Sequence, residues 1–169
     1  ILEGVLDPKM APFLLALFAF GVGKAALMPI HRWLPAAMVA PTPVSALLHA
    51  VAVVKAGVFT ILTVVVYVFG IDFLSSSRAS LWLVWLASFT ILASSFVAIT
   101  KDDIKARLAY STISQLSYIV LGAAIATSVA AQGAALHIVM HAAGKITLFF
   151  CAGAIYVQAH LTKVSELDG

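Results

Sequence analysis

Three titratable side chains recur at every fourth position near the end of the chain. His137, His141 and Lys145 occupy positions i, i+4 and i+8, so in a helix each lies about 40° around the axis from the last and all three share one face. Histidine titrates near neutral pH, and a desolvated lysine gives up its proton more easily than one in water. The spacing therefore predicts a proton relay. The competing interpretation is a polar stripe that only joins neighbouring helices, but such a stripe does not require a lysine.

Three more titratable residues precede this stripe, each within an apolar segment. Lys24 and Lys55 lie on either side of a proline-rich connection, and His49 lies six residues before Lys55, about 120° around a helix. A lysine deep in a bilayer is costly unless it has a partner or a wet cavity, so this pair indicates a charge pathway. The alternatives are a hydrogen bond from His49 to a backbone carbonyl and snorkelling of the lysines to an interface.

The composition is typical of a membrane protein and excludes several other classes. Of the 169 residues, 63% are hydrophobic and 10% are charged, which lies outside the usual range of soluble domains. The net charge of +3 comes without a basic run, so nucleic acid is not an expected partner. The single cysteine, Cys151, provides no disulfide or zinc framework. We expect no cofactor, no metal and no catalytic activity of its own, although the chain could belong to an ion-translocating oxidoreductase; a haem between paired histidines would have lysines beside a cationic centre.

The apolar segments predict an all-α, polytopic transmembrane bundle, with residues 1–169 as a single region. Because the sequence starts at Ile1, we interpret it as an excerpt of a longer protein. Pro29 and Pro35 predict a discontinuous first helix, broken near residues 24–35, and residues 71–80 are expected to form a loop. The predicted spans are 10–38, 44–69, 79–99, 104–127 and 132–159.

The fourth predicted span carries a polar patch, which indicates a face toward other helices or water. We expect the stripe on the fifth span to face the bundle interior and approach this patch. The patch consists of Tyr110, Ser111, Thr112, Ser114 and Gln115.

Basic residues outside the spans predict the orientation. If the spans alternate, the 30–43 turn, the 101–107 turn and the C-terminal tail share one side, which carries most of these residues. The positive-inside rule places that side in the cytoplasm of a cell inner membrane. The residues on that side are Arg32, Lys101, Lys105, Arg107 and Lys163, against Lys9 and Arg78 on the other.

Four motifs in order resemble one family of membrane proteins. They are Lys24 with PIHRWLP at 29–35, LPAAMVAPTPVSALLHAVAVVKAG at 34–57, KDDIKARLAYSTISQLSY at 101–118, and HIVMHAAGKITLFFCAG at 137–153. Together they resemble the antiporter-like membrane subunits: the large proton-channel subunits of respiratory complex I, their relatives in multisubunit cation/proton antiporters, and those of membrane-bound hydrogenases. Within this group the sequence is most similar to the subunit-D-like antiporter proteins.

The resemblance implies a fold of two inverted repeats, each with a discontinuous helix. It implies that Lys24 is the lysine of the first broken helix, that His49 and Lys55 stand at the next titratable positions, and that the 137–145 stripe is the central relay. The acidic partner of the first lysine and the later broken helix would lie outside this chain.

The expected function is proton translocation in a sodium/proton antiporter, in the bilayer, beside other membrane subunits. A proton-pumping subunit of a complex I-like or hydrogenase complex is the alternative, and a non-transporting scaffold is the second.

Overall fold

A computed structural model describes residues 7–50 and 52–167, with only the backbone of residue 50. The described residues form helices joined by turns, and no β-strand occurs among them. The predicted all-α class is confirmed. The α-helices are α1 (Ala11–Gly21), α2 (Trp33–Ala36), α3 (Thr42–Ala50), α4 (Val53–Thr63), α5 (Ile71–Ser77), α6 (Leu81–Thr100), α7 (Ile104–Ala124) and α8 (Ser128–Ala159).

Three helical segments in the described part are long and apolar enough to cross a membrane: Thr42–Phe69, α6 and α8. Helix α7 has a similar length of 21 residues, but its polar patch lowers its mean hydropathy. It is instead the most enclosed helix of the bundle, packed between α6 and α8. The boundaries of the five predicted spans stay predictions, because a helix end does not mark a membrane surface.

The first predicted span is discontinuous, as expected. Helix α1 ends at Gly21 and is followed by a 3₁₀ turn, Gly23–Ala25. Ala26 then adopts a left-handed conformation (φ 54°), which an L-residue rarely holds inside a helix, and Pro29 lacks the backbone N–H that helical continuation needs. We call the segment from Val22 to Arg32 the break.

The second predicted span is a series of three helical segments. Helix α3 ends at Ala50 and α4 begins at Val53, and the Ala52 N–H donates to the Leu47 carbonyl at 3.0 Å. This bond spans five residues, as in a π-helix, and marks a local widening of the helix. A π-helical turn, Val64–Phe69, ends the segment.

Residues 71–77 are helical, so the predicted loop over 71–80 was wrong for most of its length. Asp72 lies in the first turn of α5, where a carboxylate interacts favourably with the helix dipole. Leu74 is fully buried, so packing adds to this local preference.

Three connections meet at one end of the bundle. Asp103 caps α7 by accepting the Ala106 N–H at 2.7 Å, and the Lys105 ammonium donates to the Ala40 carbonyl at 3.2 Å. The tail joins this end because the Val164 N–H donates to the Asp102 carbonyl at 2.8 Å. The turns and tail that alternation predicts on one side therefore lie together, whereas the side of the membrane that they face stays a prediction.

Asp102 also holds the tail through its side chain. Its carboxylate accepts the Ser165 backbone N–H at 3.0 Å and the Ser165 hydroxyl at 2.8 Å. These two bonds lower the pKa of Asp102 below its ordinary value, because both stabilise the ionised form.

Candidate functional site: a buried lysine and histidine cluster

The stripe on α8 faces the interior of the bundle. His141 and Lys145 are 8% and 3% exposed, and His137 is half-buried. The rings of His137 and His141 stack with their centroids 6.0 Å apart and their planes 14° apart. The helical spacing of four residues produces this alignment, as the sequence predicts.

Two residues of the polar patch on α7 contact the stripe directly. His137 Nε2 lies 2.9 Å from Gln115 Oε1. The Lys145 ammonium donates to Ser111 Oγ at 2.9 Å and to the Leu108 carbonyl oxygen at 3.1 Å. The carbonyl of Leu108 carries no sequence signal, because every residue has one, so only the packing of α7 against α8 reveals this contact.

The middle of the stripe meets Lys55 of α4. Lys55 Nζ and His141 Nδ1 are hydrogen-bonded across 86 residues of sequence, and Lys55 is only 6% exposed. A doubly protonated imidazole has no lone pair to accept a bond from an ammonium group. The pair therefore shares one proton along this bond: an ammonium donates to a neutral imidazole, or an imidazole donates to a neutral amine.

His49 lies beside the stripe without a hydrogen bond from the described residues. It is fully buried, its ring centroid is 5.2 Å from that of Phe149, and it is close enough to Lys145 to respond to its charge. Neither ring nitrogen of His49 has a partner in the described part of the chain, and His141 Nε2 has none there either. The alternative of a bond from His49 to a backbone carbonyl does not describe this structure.

Lys24 is separate from the cluster. It lies on the 3₁₀ turn of the break with an exposed side chain. The other five predicted pathway residues gather around α8: His49, Lys55, His137, His141 and Lys145. A role for any of them in proton transfer stays a prediction.

Three of the five patch residues point away from the stripe. Thr112 donates to the carbonyl of Leu108 within its own helix at 2.8 Å. Ser114 bonds to Ser95 of α6 at 2.9 Å, and the Tyr110 ring lies 5.8 Å from the Lys101 ammonium. Ser111 and Gln115 are thus the two patch side chains placed to act on the cluster.

The described residues bring no carboxylate into the cluster. Within residues 7–50 and 52–167, the ion pair present is Lys163–Glu166 in the tail, at 3.9 Å, and no His, Cys, Asp and Glu side chains are grouped as a metal site requires. Two lysines thus share a low-dielectric interior with neutral acceptors, where like charges repel strongly. Adding a proton to one group of the cluster disfavours a proton on its neighbours.

Comparison with known proteins identifies the family. Residues 5–169 match the family model described as NADH:quinone oxidoreductase/Mrp antiporter, TM. The chain belongs to this family. Its membership and its long apolar helices make it a multi-pass membrane protein.

Its relatives include both antiporter and oxidoreductase subunits. The chain is 41% identical over 147 residues to a probable K(+)/H(+) antiporter subunit of Rhizobium meliloti, covering 86% of this chain and 14% of the relative. It is 40% identical over 155 residues to NAD(P)H-quinone oxidoreductase chain 5 of Synechocystis sp., covering 90% and 21%. The chain thus spans less than a quarter of these relatives. The subunit-D-like assignment stays a prediction, since the descriptions of these two relatives name other subunits.

A solved structure has the same fold. The structure of the Mrp complex from Dietzia sp. contains a chain that superposes with a TM-score of 0.82 at 36% identity, over 94% of this chain and 17% of that one. The predicted class of a polytopic helical bundle with a discontinuous first helix is confirmed.

Proposed function

We propose that the chain is part of a proton-translocating membrane subunit of a multisubunit monovalent cation/proton antiporter. One observation carries this proposal: three titratable groups on α8 contact Lys55, Gln115 and Ser111 of two other helices, in a buried interior to which the described residues add no carboxylate. Buried ionisable groups in a membrane protein are costly and typically serve transport. Membership of the antiporter and oxidoreductase family supports the same function.

Proton transfer begins at the bond between Lys55 and His141. When the ammonium of Lys55 gives its proton to His141 Nδ1, the lysine becomes a neutral amine and the histidine an imidazolium. The imidazolium then releases its other proton from Nε2 and returns to neutral. The proton passes through water to His137 or Lys145, along a stripe about 12 Å long at 1.5 Å rise per residue.

Each side chain near the stripe has a distinct role in this proposal. Gln115 orients His137 through their hydrogen bond, and Ser111 holds the Lys145 ammonium. His49 extends the pathway on the α3 side. Lys24 gates the pathway from the break, paired with an acidic side chain from another part of the protein.

The setting follows from the family and from the distribution of charge. The subunit works beside other membrane subunits in a cell inner membrane, with the 30–43 turn, the 101–107 turn and the tail in the cytoplasm. Sodium is the proposed coupling cation. The relative from Rhizobium meliloti is described as part of a probable K(+)/H(+) antiporter, so potassium is the cation to compare with it.

A proton-pumping subunit of a redox complex is the second candidate. The similarity to NAD(P)H-quinone oxidoreductase chain 5 of Synechocystis sp. favours it, because the same cluster would serve a pump driven by electron transfer. The partner subunits that co-purify with the parent protein distinguish the two candidates. A non-transporting scaffold is the third outcome.

Proton flux in vesicles tests the proposal. The parent protein and its partner subunits are reconstituted with a pH-sensitive dye inside, and a sodium or potassium gradient is applied. We expect proton movement that depends on the gradient, that is lost in Lys55→Met and that is retained in Lys9→Met, whose side chain is exposed. Flux that depends on electron transfer would support the redox complex, and the absence of flux under both conditions would support the scaffold.

A further inference from the structure

The break that carries Lys24 packs directly against α4 at Gly57. A Cβ atom added at Gly57 would lie 2.5 Å from Ala25 N, 2.6 Å from Lys24 C and 2.9 Å from Lys24 O. Real Cβ atoms essentially never approach other heavy atoms closer than 3.0 Å. The backbone of the break thus occupies the space where any other residue at position 57 would have its side chain.

The neighbours of Gly57 cannot move aside on their own. They are backbone atoms of the 3₁₀ turn, so relief requires a shift of the whole turn by about 1 Å to reach ordinary van der Waals contact. At Gly153 the nearest atom belongs to a side chain, Thr42 Cγ2 at 2.9 Å, and at Gly21 and Gly133 no atom of the described residues lies within 4 Å. The contact at Gly57 therefore differs in kind from those at the other three glycines.

Two hydrogen bonds hold the break from its other sides. Trp33 Nε1 donates to the Gly23 carbonyl at 3.2 Å, and the Met28 N–H donates to Thr90 Oγ1 of α6 at 3.4 Å. With these attachments in place, the position of the Lys24 backbone is set by how closely it approaches Gly57.

Gly57 also lies two residues after Lys55, on the same helix. The structure thus joins the only predicted pathway residue outside the cluster to a residue inside it through one rigid contact. A displacement of the break moves Lys24 relative to α4, and a displacement of α4 moves Lys55 relative to both Lys24 and His141.

We propose that Gly57 is a positioning residue that fixes the separation of Lys24 and Lys55, so that the break and α4 move together during transport. This inference rests on the proposed function for its consequence, but the contact itself does not depend on it. Its chemical content is the absence of a side chain: a single methyl group at position 57 separates the two backbones.

Two measurements on Gly57→Ala in the assembled parent complex test the inference, with Gly133→Ala as the matched control. The first is gradient-driven proton flux as a function of pH. The second is hydrogen–deuterium exchange of the peptide covering residues 22–28, whose amides include the Ala25 N–H bonded to the Val22 carbonyl at 3.0 Å. We expect Gly57→Ala to lower flux about tenfold or more, because a displacement of about 1 Å can have a large effect on a reacting geometry.

The pH profile and the exchange rate separate positioning from a loss of fold. In Gly57→Ala we expect the pH profile to shift and exchange in 22–28 to rise several-fold, with exchange in α6 unchanged. Gly133→Ala should match the wild type in both measurements. Wild-type flux and exchange in Gly57→Ala would overturn the inference, and so would an equal rise in exchange across all helices.

The failure of the proposed function has a different signature. If the wild-type complex moves no protons, the function is refuted, and exchange alone then decides the contact. If too little Gly57→Ala complex assembles, a cryo-EM structure of the wild-type complex decides it. A Gly57 Cα in contact with the backbone of residues 24 and 25 supports the inference, and a gap wide enough for a methyl group overturns it.

Discussion

His141 tests whether the α8 stripe titrates or only forms hydrogen bonds, because the two substitutions Gln and Ala separate these roles. His141 is nearly buried and bonds to Lys55. The carbonyl oxygen of a glutamine can accept the same bond, but a glutamine cannot carry the proton onward. An alanine removes both properties.

The expected magnitudes follow from these contacts. His141→Gln keeps the acceptor for Lys55 and most of the buried volume, so the free energy of unfolding should change by less than about 1 kcal/mol. His141→Ala leaves the Lys55 ammonium without this acceptor, at a cost of about 1.5–3 kcal/mol, and adds a cavity. Both variants should reduce flux at least tenfold, which corresponds to about 1.4 kcal/mol in the barrier.

The assay combines flux with stability in the reconstituted parent complex. Gradient-driven proton flux and thermal unfolding are measured for the two variants, with His160→Gln as the control. His160 is exposed at the C-terminal end of α8 and does not belong to the cluster, so its substitution should leave both measurements unchanged. Wild-type flux in His141→Gln would show that this histidine only joins helices, and the relay would be refuted.

Three further predictions address other parts of the chain. Lys24→Ala should abolish flux without loss of assembly, and Lys24→Arg should also lose most of it because arginine does not release its proton; normal flux in the alanine variant would contradict the gate. Ser111→Ala should lower flux about tenfold by removing a hydrogen bond to a charged group, worth about 1.5–3 kcal/mol, whereas Ser114→Ala, which loses a bond to α6, should transport normally; equal effects would contradict the assignment. The pKa of Asp102 is lowered by its bonds to Ser165, so docking of the tail should be complete above the ordinary carboxyl value and be lost only as pH falls through the lowered one. Asp102→Asn should loosen the tail at neutral pH and remove this pH dependence, as hydrogen exchange in residues 161–167 would report.

Much of the fold is local in origin and could be predicted from the sequence. The composition and the lengths of the apolar segments indicate a helical membrane protein, and Pro29 determines that the first helix is discontinuous because proline lacks the N–H donor. The alignment of His137, His141 and Lys145 follows from the helical repeat alone. The sequence could also predict that this stripe avoids lipid, since unpaired polar groups are costly there.

Other features of the helices were not predictable at this level. The register shift between α3 and α4 and the helix at 71–77 depend on packing as well as on local preference, and Leu74 is buried by residues from elsewhere in the chain. The polar patch on α7 divides between two neighbouring helices, α6 and α8. A helical repeat indicates which residues share a face, but it does not indicate which helix that face meets.

The partners of the cluster were decided only by the tertiary structure. The Lys55–His141 bond joins residues 86 positions apart, and no spacing rule connects two helices at that distance. Lys24 looks equivalent to Lys55 in sequence, yet the break turns it to the surface of the described chain, whereas α4 buries Lys55. Gly57 shows the same limit most clearly: its role depends on the backbone of another segment, and a residue without a side chain gives no sign in the sequence of what lies against it.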